Sequence, residues 1–469
     1  MIPIVKINNT SKYLDNIYSN TATYNIVSKH VTINDVRCEI KKGHRCFEFK
    51  SDAANFTGSP IKLYNINYGY AEAFRLENEG NSLHAFKGAA VSNVKLFDKL
   101  SATGEIWELE SRNFSKESYY RAILPLQNFH KAPLYFIESL SFNTESSERA
   151  AGLIEITINE IKFLLFDYKI EKSNYLIIDS SQIITQKEFE NVLASIIYCY
   201  GLISGSLIRD EITILSISNI KEETITGFHF RRIENSTSGM SNINPDLFKQ
   251  YYKNRVESNF LNVNVFAEMI NCSLKDLRLY RSIKIINESS GYPLEIKAST
   301  YSVALETLKN IIIEENAEKT NPFKNKRTAS KAIKELKKTI SAIDDNEFNN
   351  KKSIINKLEQ INQVGNSDSF LLSFELLDIA LNDDDINCIN MRNDFLHGRL
   401  PFENEALEKD EKDYQLQHIV YKLHFLISSL IFKKCGYNGY LLNNIKLVDL
   451  MHFKKNIQEP LFRNICTKR

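Results

Sequence analysis

No CxxC pair occurs in this chain, and its seven cysteines form an odd, scattered set: Cys38, Cys46, Cys199, Cys272, Cys388, Cys435 and Cys466. A zinc ribbon and a disulfide scaffold are therefore disfavoured, and free thiols in a reducing compartment are expected. No run of about 18 apolar residues is present, which argues against a transmembrane helix. The opening MIPIVKINNTSKYLDN lacks the apolar core of a signal peptide, so a cytoplasmic protein with no membrane partner is expected. An excess of one charge is missing too, because 59 Lys and Arg face 58 Asp and Glu. That balance excludes a globally basic nucleic-acid coat and an acidic tail protein, but not a local basic patch. Absent as well are GxxxxGK[ST], a GxGxxG after a strand, GxSxG and HExxH. Their absence argues against an ATPase, a dinucleotide enzyme, a serine hydrolase elbow and a zincin. No cofactor and no metal are expected.

What is present suits a multidomain globular protein. A chain of 469 residues corresponds to two to four domains. Its hydrophobic content of 43% allows large cores. Eleven of the 16 glycines lie before residue 245. In that half, short β-branched and aromatic runs alternate with turn signals, giving strand candidates at 31–40, 45–50, 61–70, 82–87, 91–97 and 105–109. A hairpin is expected at 153–158 and 161–168, turning at Asn159-Glu160, with another strand at 175–179. Thr185 followed by Glu188 predicts a capping box, and Phe189, Val192, Leu193, Ile196 and Ile197 recur at helical spacing behind it. Further strands are expected at 212–217 and 226–232, and the polar stretch 234–245 reads as a linker. Trp107, the only tryptophan, reads as a core residue.

The second half reads as helices, at 246–260, 263–287, 294–315, 330–343, 349–363, 370–381, 385–397 and 406–435, with Gly436 placed to end the last. The expected fold class is therefore α+β. A β-rich region over 1–240 precedes an all-α helical bundle over 241–469, and the hairpin near Asn159 could open a second subdomain split near 150.

The chemistry concentrates in DDDINCINMRNDFLHGRLP, residues 383–401. The aspartates suit a helix N-terminus, and Gly398 and Pro401 stop the helix. Ile386, Ile389, Met391 and Phe395 are the residues expected to face the core. Arg392 precedes His397 with four residues between. A His can take a proton from an RNA 2′-hydroxyl or give one to the leaving 5′-oxygen, and an Arg can hold the phosphate. Five helical residues turn the side chains about 140° apart, so one copy makes a poor site. Two copies facing each other would place two Arg and two His around one cleft. The spacing alone is not specific, because about one match is expected by chance. Arg37 and His44 also fit it, with six residues between. Two cations near a helix C-terminus also have a plain reading, as caps for the last carbonyls.

Context adds what spacing lacks. Arg392-Asn393-Asp394-Phe395-Leu396-His397-Gly398 resembles the RNxxxHG signature of HEPN domains, and among these the ApeA-like branch of bacterial phage defence. The resemblance spans the last 150 to 220 residues by layout, while its sharp motif spans seven. It implies a metal-independent endoribonuclease, active as a homodimer, leaving a 2′,3′-cyclic phosphate and a 5′-hydroxyl. It implies that Arg392 and His397 are catalytic and that Asn393 orients the site. Abortive infection, a phage-derived trigger acting through the N-terminal region, and RNA, plausibly tRNA, as substrate belong to the same expectation.

A second feature bears on RNA. Residues 324–338 hold seven basic residues and one acidic one, with Lys331, Lys334 and Lys338 on one helical face. Such a face can hold a nucleic-acid backbone, or be a solvated surface balanced by the acidic residues 344–347. His418 and His424 lie six apart, off a common face, and read as ordinary histidines rather than a metal pair. The rival readings are a non-catalytic HEPN module that binds RNA, nucleotide or protein, the toxin of a toxin–antitoxin pair, and an enzyme centred on His44 or His130 in the β-rich half.

Overall fold

The computed structural model describes residues 4–28, 32–57, 73–79, 82–86, 90–97, 99–126, 135–136, 140–144, 149–170, 173–233, 237–253, 259–323, 325–359, 361–362, 365–403, 408–453 and 457–466. The strand expected at 61–70, His130 and Lys324 lie outside them. The chain divides into two compact units, Met1–Leu274 and Lys275–Arg469. The class is α+β, with a large, mostly antiparallel sheet followed by helices.

The strands of the first unit are β1 Ile4–Val5, β2 Ser19–Ser28, β3 Thr32–Lys42, β4 Phe47–Thr57, β5 Phe74–Glu77, β6 Ser82–Phe86, β7 Ala90–Phe97, β8 Lys99–Ile106, β9 Glu108–Ser111, β10 Glu117–Pro125, β11 Leu140–Thr144, β12 Arg149–Ile158, β13 Ile161–Ile170, β14 Ser173–Ser180, β15 Ile184–Thr185, β16 Ser206–Leu207, β17 Glu211–Asn219, β18 Thr224–Arg232 and β19 Thr237–Ser238. Along the main ladder the order is β7, β8, β4, β3, β2, β5, β6, β9, β18, β17, β10, β14, β13, β12, β11, β1. Every pair but β1 with β11 is antiparallel. Only Trp107 separates β8 from β9 in sequence, yet β4, β3, β2, β5 and β6 lie between them along the ladder. The sheet must therefore curl back on itself there, as long twisted sheets do. Inside the curl pack Tyr24, Val36, Cys38, Ile40, Phe47 and Leu76, the inward alternates of their strands.

Trp107 is not a core residue. It is 41% exposed, where the strand bends between two partners, and the Arg232 guanidinium lies 4.9 Å from its ring centroid. The hairpin at Asn159-Glu160 forms, with both turn residues at positive φ. The capping box of Thr185 and Glu188 starts the helix Gln186–Ser204. The expected linker is instead packed, since Asn242 and Ile243 are fully buried and β19 pairs with β16. Among the described residues only Pro245–Tyr251 of the first expected helix is helical. This helix and Val263–Lys275 lie in the first unit, apart from its last residue, and Phe266 packs on Phe136 at 5.1 Å between centroids. The composition thus changes near 240, while the compact unit extends to Leu274.

The helices are α1 Asn8–Tyr18, α2 Gln186–Ser204, α3 Pro245–Tyr251, α4 Val263–Lys275, α5 Leu277–Glu288, α6 Leu294–Glu315, α7 Ala317–Thr320, α8 Lys326–Ala342, α9 Lys351–Glu359, α10 Asn366–Leu376, α11 Asp383–Leu396, α12 Lys409–Lys434 and α13 Asn444–Val448. Helix α1 begins after Ile7, which has no side chain to cap it. Glu223 caps it instead, accepting from the Asn9 and Thr10 backbone N–H at 2.8 and 3.1 Å. Arg121, 2% exposed, donates to both Asp179 oxygens at 2.7 and 2.8 Å and to Glu223 at 2.6 Å. Charge-assisted bonds of this kind contribute about 1.5–3 kcal/mol each. Glu223→Gln is therefore expected to destabilise the first unit by about 2 kcal/mol, read as a lower urea midpoint at unchanged slope.

In the second unit α6 is central and packs against α5, α10, α11 and α12. The single helix expected over 263–287 is two, because Asp276 caps a new one by accepting from the Arg278 N–H at 2.8 Å. Residues 422–432 of α12 are all buried, so this stretch is surrounded by protein rather than amphipathic.

Candidate active site

Helix α11 carries the Arg–His motif, and both its ends are fixed. At the start Asn382 and Asp385 form a reciprocal capping box. Asp385, fully buried, also takes a bidentate bond from Arg463 at 2.9 and 2.7 Å, and Lys422 Nζ lies 3.1 Å away. Lys422 is itself fully buried and pairs with Asp384 at 2.8 Å and with Glu459. Although burial alone would raise the pKa of Asp385 and Glu459, the Arg463 and Lys422 cations hold both below the usual carboxylate range. At the other end the Gly398 N–H bonds Phe395 O at 3.1 Å and the Arg399 N–H bonds Asp394 O at 2.9 Å, with Gly398 at φ +71. This is the Schellman stop, which needs a residue tolerant of left-handed φ directly after His397. Ser299 Oγ of α6 donates to Phe395 O at 3.2 Å and ties down the last turn.

The buried face of α11 is Asp385, Cys388, Ile389, Arg392 and Phe395. Of the four residues expected to face the core, Ile386 and Met391 are only half-buried. Polar and charged residues hold those positions in the 3–4 repeat, and counting apolar residues alone passes over them.

Arg392 is 7% exposed. Its guanidinium carbon lies 3.3 Å from the Phe370 ring centroid of α10. Among the described residues it makes one hydrogen bond, from Nη1 to Ile389 O at 2.5 Å, which directs the side chain towards the helix N-terminus. The guanidinium has five N–H donors, so most remain for a ligand. Lys309 of α6 is 5% exposed, with Nζ 4.7 Å from the same ring centroid. Burial pushes both cations' pKa values down, and Glu306 of α6 is the carboxylate that opposes the shift for each. Nothing in the sequence links Lys309 and Phe370 to the motif, because the register of three helices brings them together.

His397 is the C-cap of α11 and is exposed. Its backbone N–H reaches Asn393 O and Asp394 O at 3.2 and 3.0 Å. Asn393 is exposed, and Asp394 pairs with Arg399 at 3.3 Å. Within one chain the Arg392 and His397 side chains are not in contact among the described residues. One is buried and aimed back along the helix, and the other stands at its open end. Lys331, Lys334 and Lys338 are all exposed on α8, and Lys338 pairs with Glu335 at 3.2 Å.

A metal could in principle be held by Asp384, Cys388 and His418, whose ligand atoms lie within 4.8 Å of one another. The chemistry of that set does not favour one. Lys422 already brings its ammonium to Asp384, and burial raises the Cys388 thiol pKa far above its ordinary value. His418 Nε2 is on Asp384 at 3.0 Å. His424 is separate and buried, and burial, helped by the nearby Lys297 charge, lowers its pKa to about 3. An unfolded His titrates near 6.5, so this group's contribution to stability is complete above that pH and is lost as pH falls towards about 3. At pH 5 the loss is about 2 kcal/mol. His424→Leu should flatten the pH dependence of helical-unit unfolding between pH 7 and 5, followed by circular dichroism in urea.

No protein-family profile matches this chain, and no curated protein or solved structure matches it either. Among the described residues no helix is long and apolar enough to cross a membrane.

Proposed function

We propose that the helical unit is a metal-independent endoribonuclease of the HEPN type and serves as an effector of anti-phage defence in the cytoplasm. The observation that carries this reading is the guanidinium of Arg392, buried yet with most of its donors uncommitted, on the same helix as an exposed His397. A desolvated cation with free donors is suited to a phosphodiester, whose charge and oxygens it satisfies. His397, open to solvent, is placed for proton transfer. The 2′-oxygen loses its proton to one imidazole and attacks phosphorus. The bond to the 5′-oxygen breaks, and that oxygen leaves with a proton from a second imidazole, giving a 2′,3′-cyclic phosphate and a 5′-hydroxyl.

Because Arg392 and His397 of one chain stand apart, the reaction calls for a second copy whose motif faces the first across a two-fold axis. Asn393, exposed next to Arg392 on α11, would orient the site, and the exposed Lys331, Lys334 and Lys338 would hold the RNA backbone. The N-terminal unit would restrain the nuclease or read the phage signal. The deciding experiment measures cleavage of total RNA and tRNA by the full chain and by an Arg392→Met, His397→Ala variant, in EDTA. Cleavage that survives the double substitution, or that needs added divalent metal, removes the reading.

A further inference from the structure

A cavity of about 690 Å³ opens in the first unit, whereas the Arg–His motif belongs to the second, so it is independent of the ribonuclease reading. Its walls come from α1, β2, β3, β6, β9 and β18 and from Asn78 after β5 and Arg112 and Asn113 after β9. Eleven of its sixteen lining residues are polar, and Arg112 is the one that carries a charge. Side-chain amides come from Asn16, Asn20, Asn78 and Asn113, and hydroxyls from serines and threonines. One aromatic ring, half-buried Tyr13, borders the cavity, and Phe228, edge to face with it at 6.4 Å, is 2% exposed and belongs to the core behind it.

Each part of this lining suits a different part of one ligand class. A lone cation without a lining carboxylate favours a ligand with one anionic group, and a guanidinium binds phosphate with fork geometry. Amides offer a donor and an acceptor together, as the polar edge of a nucleobase requires. The Tyr13 ring offers a surface for a flat ring, and the exposed Ser19 and Thr21 hydroxyls suit a ribose. The volume lies within the range of small-molecule sites. We propose that this cavity binds a nucleoside monophosphate, with its phosphate on Arg112 and its base against Tyr13.

The test is isothermal titration of the full chain with AMP, GMP, CMP and UMP, beside adenosine and ribose 5-phosphate. Saturable binding of at least one nucleotide is expected. Arg112→Ala should weaken it about tenfold, the effect of one charge-assisted hydrogen bond. Asn16→Trp, on the exposed face of α1 at the cavity, should block it with circular dichroism unchanged. Absence of saturable binding by all four nucleotides at millimolar concentration overturns the proposal. So does binding that survives both substitutions, which would lie elsewhere. Adenosine binding as tightly as AMP removes the phosphate contact, and ribose 5-phosphate binding as tightly removes the base contact. Either result also overturns the assignment.

Discussion

Arg392→Met is expected to abolish RNA cleavage while leaving the helical unit at least as stable as the parent. The two effects separate because Arg392 is buried with, among the described residues, one hydrogen bond, to Ile389 O, and its neighbour Lys309 repels it. A methionine of similar length keeps the packing on Phe370 and removes a cation that burial disfavours. A residue there for structure would show the reverse, with stability falling alongside activity. Loss of a group that holds the reacting phosphate is worth about 10²–10³ in rate. His397→Ala should cost about 10²–10⁴ by removing proton transfer. Since His397 is exposed, its own stability effect should stay within about 0.5 kcal/mol. Mixing the two single variants provides a further check. A composite site across two copies predicts cleavage by the heterodimer between that of the parent and that of either variant alone. Activity in a protein that sediments as a monomer with substrate present would contradict the two-copy cleft.

Lys422→Ala should destabilise the helical unit by about 3–5 kcal/mol, the usual cost of removing one partner from a buried ion pair. The ammonium is fully buried among Asp384, Asp385 and Glu459. Without it Asp385 keeps Arg463, but Glu459 and Asp384 lose their closest cation. The effect should appear as a large drop in the urea midpoint of the helical signal. As a contrast, Lys338→Ala removes an exposed pair with Glu335 and should change stability by less than about 1 kcal/mol. Because the network anchors the N-terminal end of α11, Lys422→Ala should also loosen the helix that carries Arg392 and His397. Equal stability of Lys422→Ala and the parent would mean that the carboxylates find other partners, and would remove the anchoring role.

Much of this architecture was legible from local patterns, because local physics set it. The Asn159-Glu160 hairpin, the Thr185–Glu188 capping box and the stop at His397-Gly398 each follow from residues within a few positions of one another. The change from strands to helices near 240 followed from composition and period. Other features depend on partners distant in sequence. Trp107 read as core because strands bury tryptophans, yet the chain bends there to close a curled sheet. Asn242 and Ile243 read as linker because the stretch is polar, yet they are fully buried. Ile7 cannot cap α1, and Glu223 does so from 216 positions away in sequence.

For the candidate site, the sequence by itself determined the seven-residue motif, its place at the end of a helix and the glycine that ends it. It also determined that Arg392 and His397 diverge, since helical rotation permits little else. Only the tertiary structure decided which of the two is buried and what surrounds it. Phe370, Lys309 and Glu306 come from α10 and α6, and their approach to Arg392 depends on how those helices pack. Likewise, the aspartates that open α11 read as helix-dipole and capping residues. Packing against α12 and the C-terminal segment turns two of them into members of a buried ionic network. Helix period fixes which side chains share a face, but only packing gives that face its neighbours, and with them its dielectric and its charge.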